Sequence, residues 1–544
     1  MTHQHFSPYD VIIIGGGATG AGIARDCSLR GLSVLVVERS DIATGATGRN
    51  HGLLHSGARY AVTDRESAVE CIQENNILKN IASHCVEKTE GLFLSLPEDD
   101  LSYQSKFVQS CRDAGISAEI IDPGEALLME PAANKEIIGA VKVPDGSIDP
   151  FRLTLSNSID AQTHGGKLLT YHEVTDLIIN QHTVIGVKAY DFKTKETKYL
   201  YANIVVNAAG IWGQHISTYA DIKINMFPAK GSLLIFGHRI NRFVLNRCRK
   251  PADADILVPG DTICLIGTTS IHVPYNEIDN MYVTPDEVDK LIHEGEKLSP
   301  ILAHTRILRA YAGVRPLVAA DDDPTGRNIS RGIVLLDHQK RDGLSGYITI
   351  TGGKLMTYRL MAEMATDLIC KKLNIDAICV TATTKLPGSN EKTKEVSTKM
   401  YTVPASIRES AIYRHGEMAQ DIPNATSISN SLVCECEEVS AGEVHYAKEN
   451  LNVNNLTDLR RRTRVGMGTC QGALCACRAV GLINQLKKEK NSAQSKEDLS
   501  QFLNERWKGI YPISWGDSLR ESEYTSWVYE SVCGLNSPEN TQAI

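Results

Sequence analysis

Five cysteines between Cys434 and Cys477 form the densest group of reactive side chains in the sequence. Cys434 and Cys436 stand one residue apart and Cys470 and Cys475 four apart, with a helical pattern between the pairs. Four thiolates at two loop ends can close around an iron–sulfur cluster or a zinc ion. Structural zinc usually takes C-x-x-C knuckles, whose turn aims both sulfurs at one ion, so the C-x-C pair favours a [2Fe–2S] cluster. Free redox thiols are the remaining reading. Gly466, Gly468 and Gly472 surround the second pair and leave backbone N–H groups for the sulfurs, which tunes the potential. Cys477 is a fifth thiol that could replace Cys475 as ligand. The preceding run Arg460, Arg461, Arg462 and Arg464 reads as a solvated helix face, as charge balance for an anionic cluster, or as a docking surface.

A second chemical signal lies at the other end of the chain. The apolar run Val11 to Ile14 leads into Gly15, Gly17 and Gly20, spaced G-x-G-x-x-G. The first glycine permits a tight turn, the second lets the backbone approach a pyrophosphate, and the third lets the next helix pack on the strand. The helix N-terminus then favours an anion. A second apolar strand, Leu32 to Val37, ends in Glu38, whose carboxylate can accept both ribose hydroxyls and would repel the 2′-phosphate of NADP. Strand, glycines, helix, strand and acid in this order predict a dinucleotide site.

The loop from Ser40 to Val62 is rich in glycine, threonine and small residues, and fits a backbone wrapped around a cofactor larger than NAD. Within it His55, Arg59 and Tyr60 can offer a base, a cation and a phenol to a substrate, or else serve loop solvation and packing. Near residue 350 a strand meets Gly352 and Gly353, followed by Lys354 and a helix start. A helix N-terminus with a lysine suits an anion or a reduced, anionic flavin ring. An ordinary strand-to-helix turn is the plainer alternative.

These residues need a framework, and the 544 residues suffice for two to four domains. The fold class is α/β. Residues 63 to about 130 read as mainly helical scaffold. Asp145-Gly146 and Asp149-Pro150 are turn signals, and strands are expected at 168–174, 177–179, 184–187 and 203–210. Residues 227–269 alternate strands and turns, the pattern of an antiparallel substrate domain. The polar stretch 386–430 reads as a linker, 431–490 as the cysteine domain, and 491–544 as a packed C-terminal arm that could be an interface. A formal net charge of −8 gives no reason to expect a nucleic-acid surface. No run approaches the ~20 apolar residues of a membrane helix, and the first residues carry neither signal core nor twin arginine. The expectation is a cytoplasmic protein that reaches a membrane only through a partner or surface patch. The nine scattered cysteines read as small buried apolar residues.

Three of these motifs carry a family resemblance. GGKLMTYR resembles the signature of flavin-linked glycerol-3-phosphate dehydrogenases, and LLHSGARY their second flavin-loop pattern. The cysteine module resembles the bacterioferritin-associated-ferredoxin type of [2Fe–2S] domain, although those ferredoxins space their second pair C-x-x-C. The whole chain resembles the large, FAD-containing subunit of the bacterial anaerobic members. That resemblance implies a Rossmann-like FAD domain with an interleaved antiparallel substrate domain, D-amino-acid-oxidase-like, over 1–385. It places FAD at Gly15, Gly17, Gly20 and Glu38, and the substrate's phosphate and hydroxyls at Arg59, Tyr60, Arg315 and Lys354. The implied reaction oxidises sn-glycerol 3-phosphate to dihydroxyacetone phosphate, with His55 as candidate base, hydride passing to the flavin, and Lys354 able to stabilise the reduced ring. Electrons would leave through the cluster to partners, namely a second catalytic subunit with a membrane-anchoring iron–sulfur subunit. They would then reach the quinone pool, ultimately toward fumarate or nitrate, with the protein peripheral on the inner face of the membrane. Two rival readings are a 2-hydroxy-acid, amino-acid or opine dehydrogenase of the same architecture, and a non-enzymatic electron-transfer protein.

Overall fold

Val11 to Ile14 are all buried, so the strand Tyr9–Ile14 has no face to give to water and must lie inside a sheet covered on both sides. In the computed structural model, which describes residues 8–318, 332–389, 393–422, 427–487 and 492–535, this strand is central. It pairs in parallel with Val34–Glu38 on one side and with Glu196–Asn207 on the other. Lys167–Thr170 and Tyr347–Gly352 extend the two sides in parallel, and Ile333–Asp337 adds an antiparallel edge. The strand order therefore reverses next to Tyr9–Ile14, which opens a crevice at the carboxyl ends of the strands. Helix Ala18–Leu29 packs between helices Pro150–Thr163 and Tyr358–Leu373. The buried Arg359 guanidinium reaches both oxygens of Glu74, at 2.8 and 2.5 Å, tying the last of these helices to Arg65–Ile81.

The second sheet has Met226–Phe236 paired along its length with Ile307–Val318. Ile263–Gly267, Ile256–Gly260 and Val244–Arg247 continue it antiparallel. Its far side corrects the helical expectation for 63–130. Helices Arg65–Ile81 and Ser102–Asp113 are present, but Gly91–Ser95 and Glu119–Ile121 are strands of this sheet. Every residue of Gly91–Ser95 is buried, so the segment shows no alternation by which a strand is recognised.

Residues 386–430 also depart from expectation. They carry helices Thr393–Lys399 and Ala405–His415, and Met400, Val403, Ile407 and Ala411 enter the same apolar core as the cysteine domain. Glu395, Thr398 and Lys399, polar residues of the stretch that resembles a linker, are exposed on the first of these helices; residues 390–392 and 423–426 of that stretch lie outside the described residues. At the C-terminus, Ser492–Ile510 buries Phe502, whereas Gly516–Val532 has no fully buried residue and leaves Trp527 68% and Val532 80% exposed. That last helix is packed only lightly, through half-buried residues such as Tyr529, whose hydroxyl donates to the Ala473 carbonyl.

The arginine run turns out to hold the chain to itself. Arg462 Nη2 and Nη1 reach the Asp41 carboxylate at 2.6 and 3.0 Å, and Arg461 reaches the same group at 3.0 Å. Both Arg462 and Asp41 side chains are 1% exposed. Burial raises the Asp41 pKa, but the two guanidiniums outweigh it and hold the carboxyl below its usual range. Arg464 binds Asp261 at 2.7 Å and Glu437 at 2.8 Å. Breaking a buried pair leaves an unpaired charge, so Arg462→Ala is expected to destabilise the docked C-terminal domain by about 3–5 kcal/mol. Thermal unfolding and limited proteolysis of the full chain measure this; an unchanged profile would show that Asp41 is not what holds the domain.

Candidate active site and cluster site

The crevice beside Tyr9–Ile14 opens into a cavity of about 370 Å³. Gly15 takes φ +110°, and a Cβ there would lie 2.7 Å from the Ala208 carbonyl oxygen. A Cβ on Gly20 would sit 1.9 Å from the Gly15 oxygen, so helix Ala18–Leu29 can approach the turn only with glycine here. Gly17, Ala18 and Thr19 line the cavity; the N-cap Gly17 offers no side chain, and Thr47 Oγ1 accepts the Ala18 N–H at 3.1 Å, so one first-turn donor is taken by the cofactor loop. Glu38 also lines it. Its two oxygens accept the N–H groups of Gly16 at 2.7 Å and Ser40 at 2.9 Å, which fixes the carboxylate while leaving lone pairs for hydroxyl donors. Burial raises the Glu38 pKa and these two N–H groups oppose the rise. The cradle that a Cβ would fill, the helix N-terminus at the cavity wall and the oriented acid fit the pyrophosphate and ribose of FAD.

The same cavity is lined by His51, His55, Tyr60, Thr268, Arg315, Gly352, Gly353 and Lys354. Four separate elements bring them together: the loop after Glu38, the strand Ile307–Val318, the turn before Thr268 and the turn after Tyr347–Gly352. The His55 ring stands edge-on to Tyr60 at 5.5 Å and to His51 at 6.1 Å, and Lys354 Nζ lies 4.6 Å over the Tyr60 ring. Arg315 donates to Thr268 Oγ1 and, at 3.1 Å, to the Thr269 carbonyl. Arg59 does not line this cavity. It turns to the Ala252 carbonyl at 2.9 Å and to Asp255 at 3.5 Å, although its charge still acts on both histidines.

His51 is absent from the residues expected to act, yet it lies half-buried in the cavity wall, with its buried Nδ1 lacking a hydrogen-bond partner among the described residues. Burial, then Arg315 and Arg59, push its pKa down to about 3. Burial, then His51, Arg59 and Lys354, push His55 well below the usual imidazole range. Burial and the neighbouring cations therefore favour the neutral form of both rings, in which one ring nitrogen of each is unprotonated. The only sequence signal for His51 was its place in the small-residue loop four positions before His55.

In the C-terminal domain Cys475 stands between Cys434 and Cys470, and Cys470 also meets Cys436. Hydrogen bonding from Cys475 lowers the pKa of Cys434 and Cys470, and N–H groups of Gly466, Glu437, Gly472 and Leu474 add to it. Cβ atoms on Gly466 and Gly472 would lie 2.7 and 2.5 Å from the buried Phe502 ring, so the loop wraps closely around that side chain. Among the described residues no group of three or more His, Cys, Asp or Glu side chains is set around a single metal ion; the thiols meet pairwise. Four thiols with backbone donors to sulfur fit a [2Fe–2S] cluster. Cys477 faces away, its Sγ 3.8 Å from that of Cys533. Cys475→Ser is therefore expected to abolish the cluster's visible absorbance, and Cys477→Ser to retain it, in protein purified without oxygen. The reverse pattern would exchange the fourth ligand.

Both halves of the chain have counterparts among known proteins. Residues 10–359 match the family described as FAD dependent oxidoreductase, and residues 432–485 match the BFD-like [2Fe-2S] binding domain. The chain is 67% identical to an anaerobic glycerol-3-phosphate dehydrogenase subunit of Escherichia coli (strain K12), over 97% of this chain and 98% of the relative. It is 66% identical to the subunit of the same name from Haemophilus influenzae, over 97% of this chain and 93% of the relative. A glycerol-3-phosphate dehydrogenase from Bacillus halodurans complexed with FAD shares the fold, with a TM-score of 0.72 at 23% identity over 94% of this chain and 97% of that one. The chain thus belongs to the family of these anaerobic glycerol-3-phosphate dehydrogenase subunits, FAD-dependent oxidoreductases that carry a BFD-like [2Fe-2S] binding domain.

Proposed function

We propose that this protein oxidises sn-glycerol 3-phosphate to dihydroxyacetone phosphate and passes the electrons through its cluster and partner subunits to the quinone pool, in anaerobic respiration with fumarate or nitrate. The observation that carries the reading is the meeting of Arg315 and Lys354 with two neutral imidazoles in the cavity that the glycine turn and Glu38 also line. When bound, FAD supplies a two-electron acceptor that can release its electrons singly. Arg315 and Lys354 hold the phosphate dianion, the guanidinium in bidentate fashion, and Tyr60 orients a hydroxyl. His55 takes the proton of the C2 hydroxyl as the C2 hydrogen leaves with its electron pair, so the alcohol carbon is oxidised by two electrons. His51 stands edge-on to His55 at 6.1 Å and fills part of the cavity wall beside it. Arg59 contributes positive potential from behind the site, held by Asp255.

The relatives are named as one subunit of a dehydrogenase, which supports an assembly with further subunits. The exposed apolar side chains of Leu474, Trp515, Tyr524 and Trp527 are the surface we assign to such a partner. Leu474 adjoins Cys475, so a partner seated there would lie beside the cluster. No helix among the described residues is long and apolar enough to cross a membrane, and we assign membrane association to the partner subunits.

Adding glycerol 3-phosphate to anaerobically purified protein is expected to bleach the flavin and then the iron–sulfur shoulder. Bleaching by a 2-hydroxy acid or an amino acid instead would move the reading to a different dehydrogenase of this architecture. Lys354→Met removes a charge-assisted contact and is expected to lower kcat/KM by about tenfold to a hundredfold. His55→Ala is expected to lower the rate of flavin reduction by about 10²–10⁴ with FAD retained, and an equal loss in His51→Ala alone would reassign the base.

A further inference from the structure

Alternation along Ile307–Val318 turns Arg309, Tyr311, Gly313 and Arg315 to one face of the sheet. Gly313 and Arg315 line the flavin cavity, whereas Arg309 and Tyr311 line a second cavity, of about 630 Å³. Its opposite wall is the docked C-terminal domain, through Arg460, Arg461, Arg464 and Glu505. The two cavities share Arg49, Asn50 and His51 as lining residues, and Tyr311 fixes this threshold by donating to the Asn50 carbonyl at 2.7 Å.

The lining of the second cavity carries six cations, Arg49, Arg309, Arg460, Arg461, Arg464 and Lys508, against five carboxylates, Asp41, Glu87, Asp149, Asp261 and Glu505, and the pairing among them is uneven. Arg461 and Arg464 are neutralised by Asp41, Asp261 and Glu437. Arg49, Arg309 and Arg460 form no ion pair among the described residues, and Glu505 is the carboxylate that acts on all three. Arg309 is only 9% exposed and its Nε has no hydrogen-bond partner. Arg460 lies over the Phe502 ring at 5.8 Å. Arg309 is buried and Arg49 and Arg460 are half-buried; a guanidinium withdrawn from water without an ion pair is stabilised by an anion that completes its site, and the loss of water pushes the pKa of each of the three down.

We propose that this second cavity is an oxyanion site in which Arg49, Arg309 and Arg460 bind a small phosphate-bearing dianion next to the flavin pocket. Guanidinium forks match phosphate oxygens, and the cavity has room for a short carbon body and water beside the phosphate. The dianion is either the substrate on its way past His51 or a separate phosphorylated metabolite. The site itself stands on the cavity alone; its use as an entry station rests on the substrate proposed above.

Isothermal titration of the FAD-loaded full chain with inorganic phosphate at low ionic strength tests it. Two equivalents are expected to bind. The double variant Arg309→Gln with Arg460→Gln is expected to lose one, and Arg315→Gln the other. Glu505→Gln, which removes the opposing carboxylate, is expected to tighten the cavity site by about tenfold. One equivalent abolished by Arg315→Gln and untouched by the double variant overturns the proposal. One equivalent abolished by the double variant alone keeps it and removes the phosphate role given to Arg315. If the double variant loses FAD, Glu505→Gln decides, and unchanged affinity there overturns the site. Rapid-reaction flavin reduction then separates the sources. An entry station predicts a lower second-order rate constant in the double variant with the limiting rate unchanged. A separate metabolite site predicts unchanged reduction, with a phosphate effect on turnover that the double variant loses.

Discussion

A single buried carboxylate organises the relation between the two redox sites. Asp41 lies three residues beyond Glu38, on the same turn that receives the dinucleotide, and it takes Arg461 and Arg462 from the cysteine domain. The contact excludes water almost completely, so its Coulomb term is large and its loss would leave uncompensated charge. Because the acid sits in the cofactor loop itself, docking the C-terminal domain also braces the segment from Ser40 to Gly52 that walls the flavin cavity. Tyr171 adds to the joint by donating to Asp458 at 2.6 Å. Paired charge acts beside a shared apolar contact, since Ile42 and Leu155 enter the same core as Leu456, Leu459 and Phe502.

The electrostatics of the flavin cavity follow from burial acting differently on different groups. Imidazoles lose their charged form when water is excluded, and neighbouring cations push in the same direction. The result is a pair of neutral bases among fixed positive charges. A phosphate dianion entering there would meet Arg315 and Lys354 beside imidazoles held in their neutral form. Neither property belongs to the residue types alone, since an exposed histidine titrates near pH 6.5.

At the cluster site the organising constraint is space. Phe502, from a helix well past the cysteines, fills the volume that side chains at 466 and 472 would need. The second cysteine loop is thereby held close, with its N–H groups toward sulfur. Cys475 turns into that loop, whereas Cys477, two residues on in helix Ala476–Leu486, turns out to meet Cys533.

Much of the fold and part of the site were legible because local chemistry demanded them. The glycine spacing with Glu38, the apolar parallel strands, the double-glycine turn and the cysteine spacing each state a requirement that a few neighbouring residues meet by themselves. The strand at Gly91–Ser95 was not legible, because full burial erases the alternation that marks a strand. The helices within 386–430 were hidden by polar outer faces, and the arginine run looked solvated because its partners Asp41 and Asp261 lie hundreds of positions away. By itself, then, the sequence determined the dinucleotide turn, the sheet order's raw material and the set of thiols. Only the tertiary structure decided that Arg59 turns to Asp255 while His51 enters the cavity, that Cys475 and not Cys477 joins the other thiols, and that Arg49, Arg309 and Arg460 converge on one cavity with no ion pair among the described residues. Those outcomes depend on contacts between distant segments, where packing and desolvation, not residue type, set the direction and charge of each side chain.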